Sequence, residues 1–263
     1  MAQNVATDTP APEHELTGAE GRAAEARSRL QSPKLHEGLV AQVCRDIVSG
    51  RMEPGAPLPS EPELIATYGV SKTVVREAVQ ALAALGLVRV QHGKRSVVLG
   101  EPEWNILNPL VQEAYRVEGD WRSLVDELYA VRLVLEPEAA RWMAKRATRD
   151  ERDAMRALMA AMETSLGSSA DRKAVFLDYD RRFHLMIATA AGNRVLRAVV
   201  RDIHELLTTS WLFTQLSDRD LMVVFRQHSA VADAIIGRDG AGASRAMRKH
   251  LEWAANADRS GTD

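Results

Sequence analysis

The sequence predicts a mainly α-helical chain in two parts, a small N-terminal unit of helices closed by one β-hairpin and a larger all-α helical bundle behind it. Three observations predict this. Leu58–Leu99 holds two short, capped helical patterns followed by two β-branched runs around a glycine-containing loop. From Trp104 onward the chain carries no alternating strand pattern. Instead Gly119, Gly167, Gly192, Gly237 and Gly240 punctuate segments whose apolar residues recur at helical spacing.

Composition sets outer limits. The 263 residues suffice for one or two domains, and 46% hydrophobic with 27% charged residues is ordinary for a globular protein. The formal net charge of −2 points to no particular partner. Over Ser32–Gly100, however, eight Lys/Arg stand against six Asp/Glu. Affinity for nucleic acid there depends on where the cations point rather than on bulk charge. The single cysteine, Cys44, excludes an intrachain disulfide and lies among Val40, Val43, Ile47 and Val48, as a small buried hydrophobe does. No apolar run approaches the ~18 residues of a membrane helix, and the N-terminus lacks a charged-then-apolar signal pattern. A cytoplasmic protein with no membrane partner is expected.

Taken in order, residues 1–31 have few large apolar side chains and are expected to form a flexible tail. Ser32-Pro33 marks a helix start, with Leu35, Leu39, Val43 and Ile47 as its stripe and Gly50 as its end. Ser60 and Glu63 form a capping box for a helix from Glu61 to Tyr68, which Gly69 stops. Ser71 caps a second helix whose apolar face is Val74, Val75, Ala78, Val79, Leu82 and Leu85. Gly86 ends it. Leu87–Val90 and Ser96–Leu99 flank the turn-sized Gln91–Arg95, which predicts the hairpin. The domains expected are therefore 32–100 and 104–258, joined at Gly100-Glu101-Pro102.

Helix, short turn, helix and hairpin make a winged helix-turn-helix. Its second helix enters the DNA major groove N-terminal end foremost. Lys72, Thr73 and Arg76 sit on that leading end, the two cations one turn apart on one face. Arg can grip guanine O6 and N7 in bidentate fashion, and both cations can bind phosphates. The loop carrying His92, Lys94 and Arg95 is the wing, placed to touch the backbone or minor groove. The stretch LPSEPELIATYGVSKTVVREAVQALAALGLVRVQHGK resembles the DNA-binding domain of GntR-family transcription regulators over about 65 residues. The resemblance implies DNA contacts from Lys72, Arg76 and the His92-Gly93-Lys94 tip. Many members carry Arg after the Ser-Glu of the first motif; Pro62 stands there in this chain. The base contact the family makes from that position is therefore not carried over to this chain, and the operator sequence is expected to differ.

Seven helices are expected beyond the hairpin: Asn108–Val117, Asp120–Ala147, Arg149–Gly167, Asp171–Ala191, Arg194–Thr214, Asp218–Gly237 and Gly240–Ala257. Pro137 inside the second of these predicts a local kink rather than a break. Histidines fall on the inner faces. Phe176, Asp180, Phe183 and Ile187 follow core spacing, with His184 one turn after Asp180. His228 lies in the stripe Val224, Val231 and Ile235, and His250 in the stripe Ala243, Met247 and Ala254. Each histidine alone is better explained as a core residue hydrogen-bonded to backbone. Three together with a buried aspartate suit a divalent metal, because an unpaired buried carboxylate is costly. Zinc leads the candidates, with nickel, cobalt, iron and manganese also compatible with the donors.

The same segments resemble the all-helical ligand domain of the FadR subgroup of that family. Val131-Arg132, Glu136-Pro137-Glu138-Ala139-Ala140, FLDYDRRFHLMIATAAGN, QHSAVADAI and AMRKHL carry the similarity. It implies a metal held by Asp180, His184, His228 and His250, a small organic acid effector bound beside it, and Arg132 facing the effector. A salt bridge from Arg132 to Glu136 is the competing assignment. His204 receives no role. Glu103–Asn108 and Glu136–Trp142 further resemble galactonate operon repressors and related sugar-acid regulators. The expectation is a homodimeric repressor on a palindromic double-stranded DNA operator, released by a small carboxylate. The alternatives are a regulator that senses the metal itself, a metalloenzyme with a fused DNA-binding module, and a ligand domain that holds no metal.

Overall fold

A computed structural model describes residues 35–91, 93–167, 171–207 and 216–260. The tail 1–31, the start signal at Ser32-Pro33, His92 of the wing and the end of the helix expected to reach Thr214 lie outside the described residues. Contacts divide the chain into two compact units, Met1–Ala114 and Tyr115–Asp263.

The first unit opens with helix α1 (residues 35–48), which buries Leu39, Val40, Val43, Cys44 and Ile47. Helix α2 (Glu61–Tyr68) starts at the predicted capping box. Ser60 Oγ accepts from Glu63 N at 3.4 Å, and Ser60 N donates to Glu63 Oε2 at 2.6 Å. Gly69 ends α2 in the left-handed conformation at φ 65°. Ser71 Oγ accepts from Val74 N at 3.3 Å and starts helix α3 (Lys72–Ala84), which buries Val74, Val75, Ala78 and Leu82. The hairpin that follows is short: β1 (Val88–Arg89) pairs antiparallel with β2 (Val97–Val98), Val88 opposite Val98. Its other edge is covered by the segment before α2. Gly55 N donates to Val98 O at 2.9 Å, Val98 N to Ala56 O at 3.0 Å and Leu58 N to Ser96 O at 2.8 Å. The sequence does not announce this third segment, because Pro57 and Pro59 mask any strand pattern.

The chain beyond the hairpin doubles back rather than leaving as a linker. Trp104 Nε1 donates to Leu99 O at 3.0 Å, and Asn105 N donates to Leu85 O at 2.8 Å. Gly86 makes the close approach possible. It sits at φ +74°, and a Cβ there would lie 2.0 Å from Glu103 O. Gly86→Ala is therefore expected to destabilise this unit by at least ~2 kcal/mol, through a strained backbone and a displaced turn; a thermal melt checks it. Helix α4 (Pro109–Glu118) begins against the same unit, where the buried Cys44 thiol donates to Leu110 O at 3.6 Å. Burial lifts that thiol to about 11, so it packs rather than reacts. By these contacts residues 101–114 fall with the first unit.

The second unit is all helical: α5 (Trp121–Arg146), α6 (Arg149–Leu166), α7 (Arg172–Ala190), α8 (Arg194–Leu207), α9 (Asp218–Ile236) and α10 (Gly240–Ser260). Helix α5 runs unbroken through Pro137. It packs most extensively against α10 and also against α7, α8 and α9. Met143, Met155, Met162, Phe176, Phe183 and Met247 fill the interior. No helix among the described residues is long and apolar enough to cross a membrane.

Candidate DNA-binding face and buried histidine site

Lys72, Thr73 and Arg76 all lie exposed on the first turns of α3. The structure adds Glu61 from the start of α2, whose carboxylate stands 3.7 Å from Lys72 Nζ and 3.5 Å from Arg76 Nε. With both cations about two-thirds exposed (68% and 69%), these are weak surface pairs that a phosphate or a guanine edge can displace. An open cleft of about 470 Å³ runs between α3 and the hairpin, lined by Glu61, Arg76, Gln80, Gly93, Lys94 and Arg95. Gly93 turns the wing at φ 68°, and Lys94 is exposed. Arg95 is fastened inward: its Nη2 lies 2.7 Å from Glu63 Oε2. Hydrogen bonds from Ser60, then Arg95, hold the Glu63 carboxyl at about 2, so the strut stays ionised. Lys94 is thus the free cation of the described wing tip. Lys94→Ala is expected to weaken DNA binding and to lower the salt slope of log K by about 0.9 for each protomer bound, one phosphate contact apiece.

In the second unit the four predicted metal ligands come together. One donor atom from each of Asp180, His184, His228 and His250 lies within 4.8 Å of the others. His228 Nε2 is 3.3 Å from His250 Nε2 and 3.4 Å from Asp180 Oδ1, and His184 Nε2 is 4.0 Å from Asp180 Oδ1. A tetrahedral centre with bonds of about 2.1 Å spaces its donors ~3.4 Å apart. Three helices supply them: α7 gives Asp180 and His184 one turn apart, α9 gives His228 and α10 gives His250.

The chemistry of the donors matches a cation. All four residues are buried. Burial, then neighbouring positive charge, pushes His228 and His250 well below the ordinary histidine value, so both are neutral and keep a lone pair. Burial also raises the Asp180 carboxyl, the cost a bound cation would offset. His184 Nε2 is buried with no hydrogen-bond partner. Outer contacts fix the rings. His184 Nδ1 meets Glu136 Oε2, His250 Nδ1 meets Gln227 Oε1 at 2.9 Å, and His228 stacks on Phe183 with ring centres 4.2 Å apart.

Arg132 makes the expected pair with Glu136, its Nε donating to Glu136 Oε1 at 2.6 Å, and the residue is also among those lining a small cavity with Tyr129, Asp180, His250 and Trp253. His204 Nε2 stands 3.3 Å from Glu136 Oε1, its own value driven down to about 3 by burial and by Arg132. Burial would raise Glu136, but Arg132, His184 and His204 together hold it well below the carboxylate range. Sequence reasoning passed over Glu136 as more than a salt-bridge partner, and over Gln227. Glu136 had a signal: Tyr129, Arg132 and Glu136 recur at core spacing, and all three are buried in α5. Gln227, half-buried at the edge of the apolar stripe of α9, reads as an ordinary boundary residue.

Comparison with known proteins agrees with this architecture. The profile of "Bacterial regulatory proteins, gntR family" matches residues 35–98, and that of the FCD domain matches residues 127–252. The uncharacterized HTH-type transcriptional regulator YieP of Escherichia coli is 30% identical over 213 residues, 81% of this chain and 90% of that protein. The galactonate operon transcriptional repressor of Escherichia coli is 29% identical over 210 residues, covering 79% and 90%. The HTH-type transcriptional repressor NanR of Salmonella newport is 32% identical over 235 residues, covering 86% and 85%. A solved structure of Lar, described as controlling expression of the Listeria monocytogenes agr system, shares the fold. It aligns with a TM-score of 0.57 at 16% identity, over 86% of this chain and 96% of its own. A winged helix-turn-helix with an exposed basic leading turn, followed by an all-helical domain, and matching these two family profiles, is a DNA-binding transcription regulator. The chain belongs to the gntR family and carries an FCD domain.

Proposed function

We propose that the protein is a homodimeric repressor whose grip on a palindromic operator is controlled by a small carboxylate bound at a metal site in its helical domain. The observation that carries the reading is the convergence of Asp180, His184, His228 and His250 beside a cavity that Arg132 also lines. A divalent ion held by these four donors, expanded from four to six ligands as nickel, manganese or zinc can be, would supply a Lewis-acidic anchor for the carboxylate and its neighbouring hydroxyl. Arg132 would take the carboxylate from the other side in bidentate fashion.

The cavity bears on the mechanism. It holds about 20 Å³, room for a solvent molecule and not for a six-carbon acid. A sugar acid can enter only if the wall moves, and Leu177, Leu216 and Trp253 are the half-buried side chains of that wall. A ligand that needs the opened form shifts the population toward it, by as much as it prefers that form. Operator half-sites are read at fixed spacing, so a change in dimer geometry removes contacts made by Arg76, Lys72 and the wing. The similarity to a galactonate operon repressor makes galactonate the first acid to try. Isothermal titration of zinc-loaded and chelated protein with galactonate and related hydroxy acids tests the reading. Heat from at least one acid with zinc, lost on chelation, is expected. Equal binding with and without zinc would remove the metal from the effector site.

A further inference from the structure

We propose that Glu136 is a positioning residue, which presents His184 to the bound cation and couples that cation to the arginine that takes the effector. The inference rests on the metal reading above. Glu136 on α5 is 2% exposed, and both its oxygens are engaged. Oε1 accepts from Arg132 Nε at 2.6 Å and faces His204 Nε2 at 3.3 Å, while Oε2 meets His184 Nδ1. With Oε1 taken by the Arg132 guanidinium, the Glu136 carboxylate stands as an acceptor at Oε2, and the matching tautomer of His184 carries its hydrogen on Nδ1. The lone pair then sits on Nε2, the buried atom that has no partner within the protein and that faces Asp180 Oδ1 at 4.0 Å. Glu136 thereby selects the tautomer in which His184 can ligate, and its charge makes the imidazole a stronger donor.

A second metal site is the competing reading, because Glu136, His184 and His204 also bring three donor atoms within 4.8 Å. Arg132 decides against it. Its guanidinium is 2% exposed and already occupies Oε1, so a second cation would be buried against a fixed positive charge. His184 would also have to serve two ions from one ring. The cluster is the outer support of one site. Because Glu136 holds Arg132 and His184 at once, an anion drawn onto Arg132 competes for the same guanidinium. Relaxing that pair alters the hydrogen bond that orients His184. Effector and metal then sense each other through one carboxylate. Gln227 plays the matching part for His250, as a neutral acceptor at 2.9 Å.

The test measures zinc affinity of the full-length protein by competition with a chromophoric chelator. Wild type, Glu136→Gln and Glu136→Asp are compared, with the melting temperature of each metal-free form. Glu136→Gln is expected to lose 10–100-fold in zinc affinity, and Glu136→Asp to recover part of it. A residue that only filled space would lower the metal-free melting temperature and leave zinc affinity unmoved, which overturns the proposal. Wild type that takes up no zinc overturns the metal reading and this inference with it. Since Glu136→Gln leaves Arg132 buried beside a neutral amide and can fail to fold, the wild type is also examined by long-range ¹H–¹⁵N spectroscopy of zinc-loaded protein. His184 protonated on Nδ1 with zinc on Nε2 is expected. Coordination through Nδ1, or a hydrogen on Nε2, overturns the proposal.

Discussion

His228→Ala is expected to abolish stoichiometric metal uptake while leaving operator affinity within a few-fold of wild type. His228 sits in the middle of the donor set, with Nε2 3.3 Å from His250 Nε2 and 3.4 Å from Asp180 Oδ1. Removing it leaves three donors spread around a gap. The loss should therefore exceed the ~10–100-fold caused by removing an outer partner. Stability reports the same event. Zinc at ~1,000 times its Kd adds about 4 kcal/mol to the folded state, so the melting temperature of wild type should rise on adding zinc and that of His228→Ala should not. The metal-free variant also loses the ring that stacks on Phe183, and its own melt gives the baseline. DNA affinity is read from the first unit, where α3 and the wing lie, and has no direct dependence on His228. Elemental analysis of protein purified without chelators checks the metal. A variant that keeps both metal and effector response would dismantle the four-donor site.

Arg76→Ala is the second large effect. Its side chain is 69% exposed and holds only a 3.5 Å pair with Glu61, so truncation should leave the melting temperature within a degree or two. On DNA the loss depends on what Arg76 contacts. A bidentate guanine contact contributes ~1–3 kcal/mol of discrimination, equivalent to roughly 5–150-fold, and specificity at that base pair relaxes. A phosphate contact instead weakens all sequences alike and lowers the salt slope by about one for each protomer bound. Anisotropy on operator and scrambled duplexes at several salt concentrations separates the two. Unchanged affinity on both would remove Arg76 from the interface.

The winged unit was legible because its signals are local. Ser60, Glu63, Gly69, Ser71 and Gly86 each state a cap or a stop within a few residues. The donor set was legible for a related reason: Asp180 and His184 share a helical face, and His228 and His250 interrupt apolar stripes. What escaped depends on contacts remote in sequence. The 55–58 segment pairs with β2 across about forty residues, and prolines hide its extended character. The retention of residues 101–114 by the first unit turns on Gly86 accepting Glu103 at a distance no side chain allows. Glu136 read as half of an i,i+4 pair with Arg132, because that pairing is visible within one helix. Its bonds to His184 and His204 join three helices and have no pattern along the chain.

The most direct measurement is fluorescence anisotropy of the zinc-loaded protein on its own upstream DNA. Galactonate and related hydroxy acids are titrated in, and each titration is repeated after chelation. The expected result is tight, salt-sensitive binding that at least one acid changes with zinc present and leaves alone without it. Tight binding that no acid alters, with or without zinc, would contradict a carboxylate-controlled regulator.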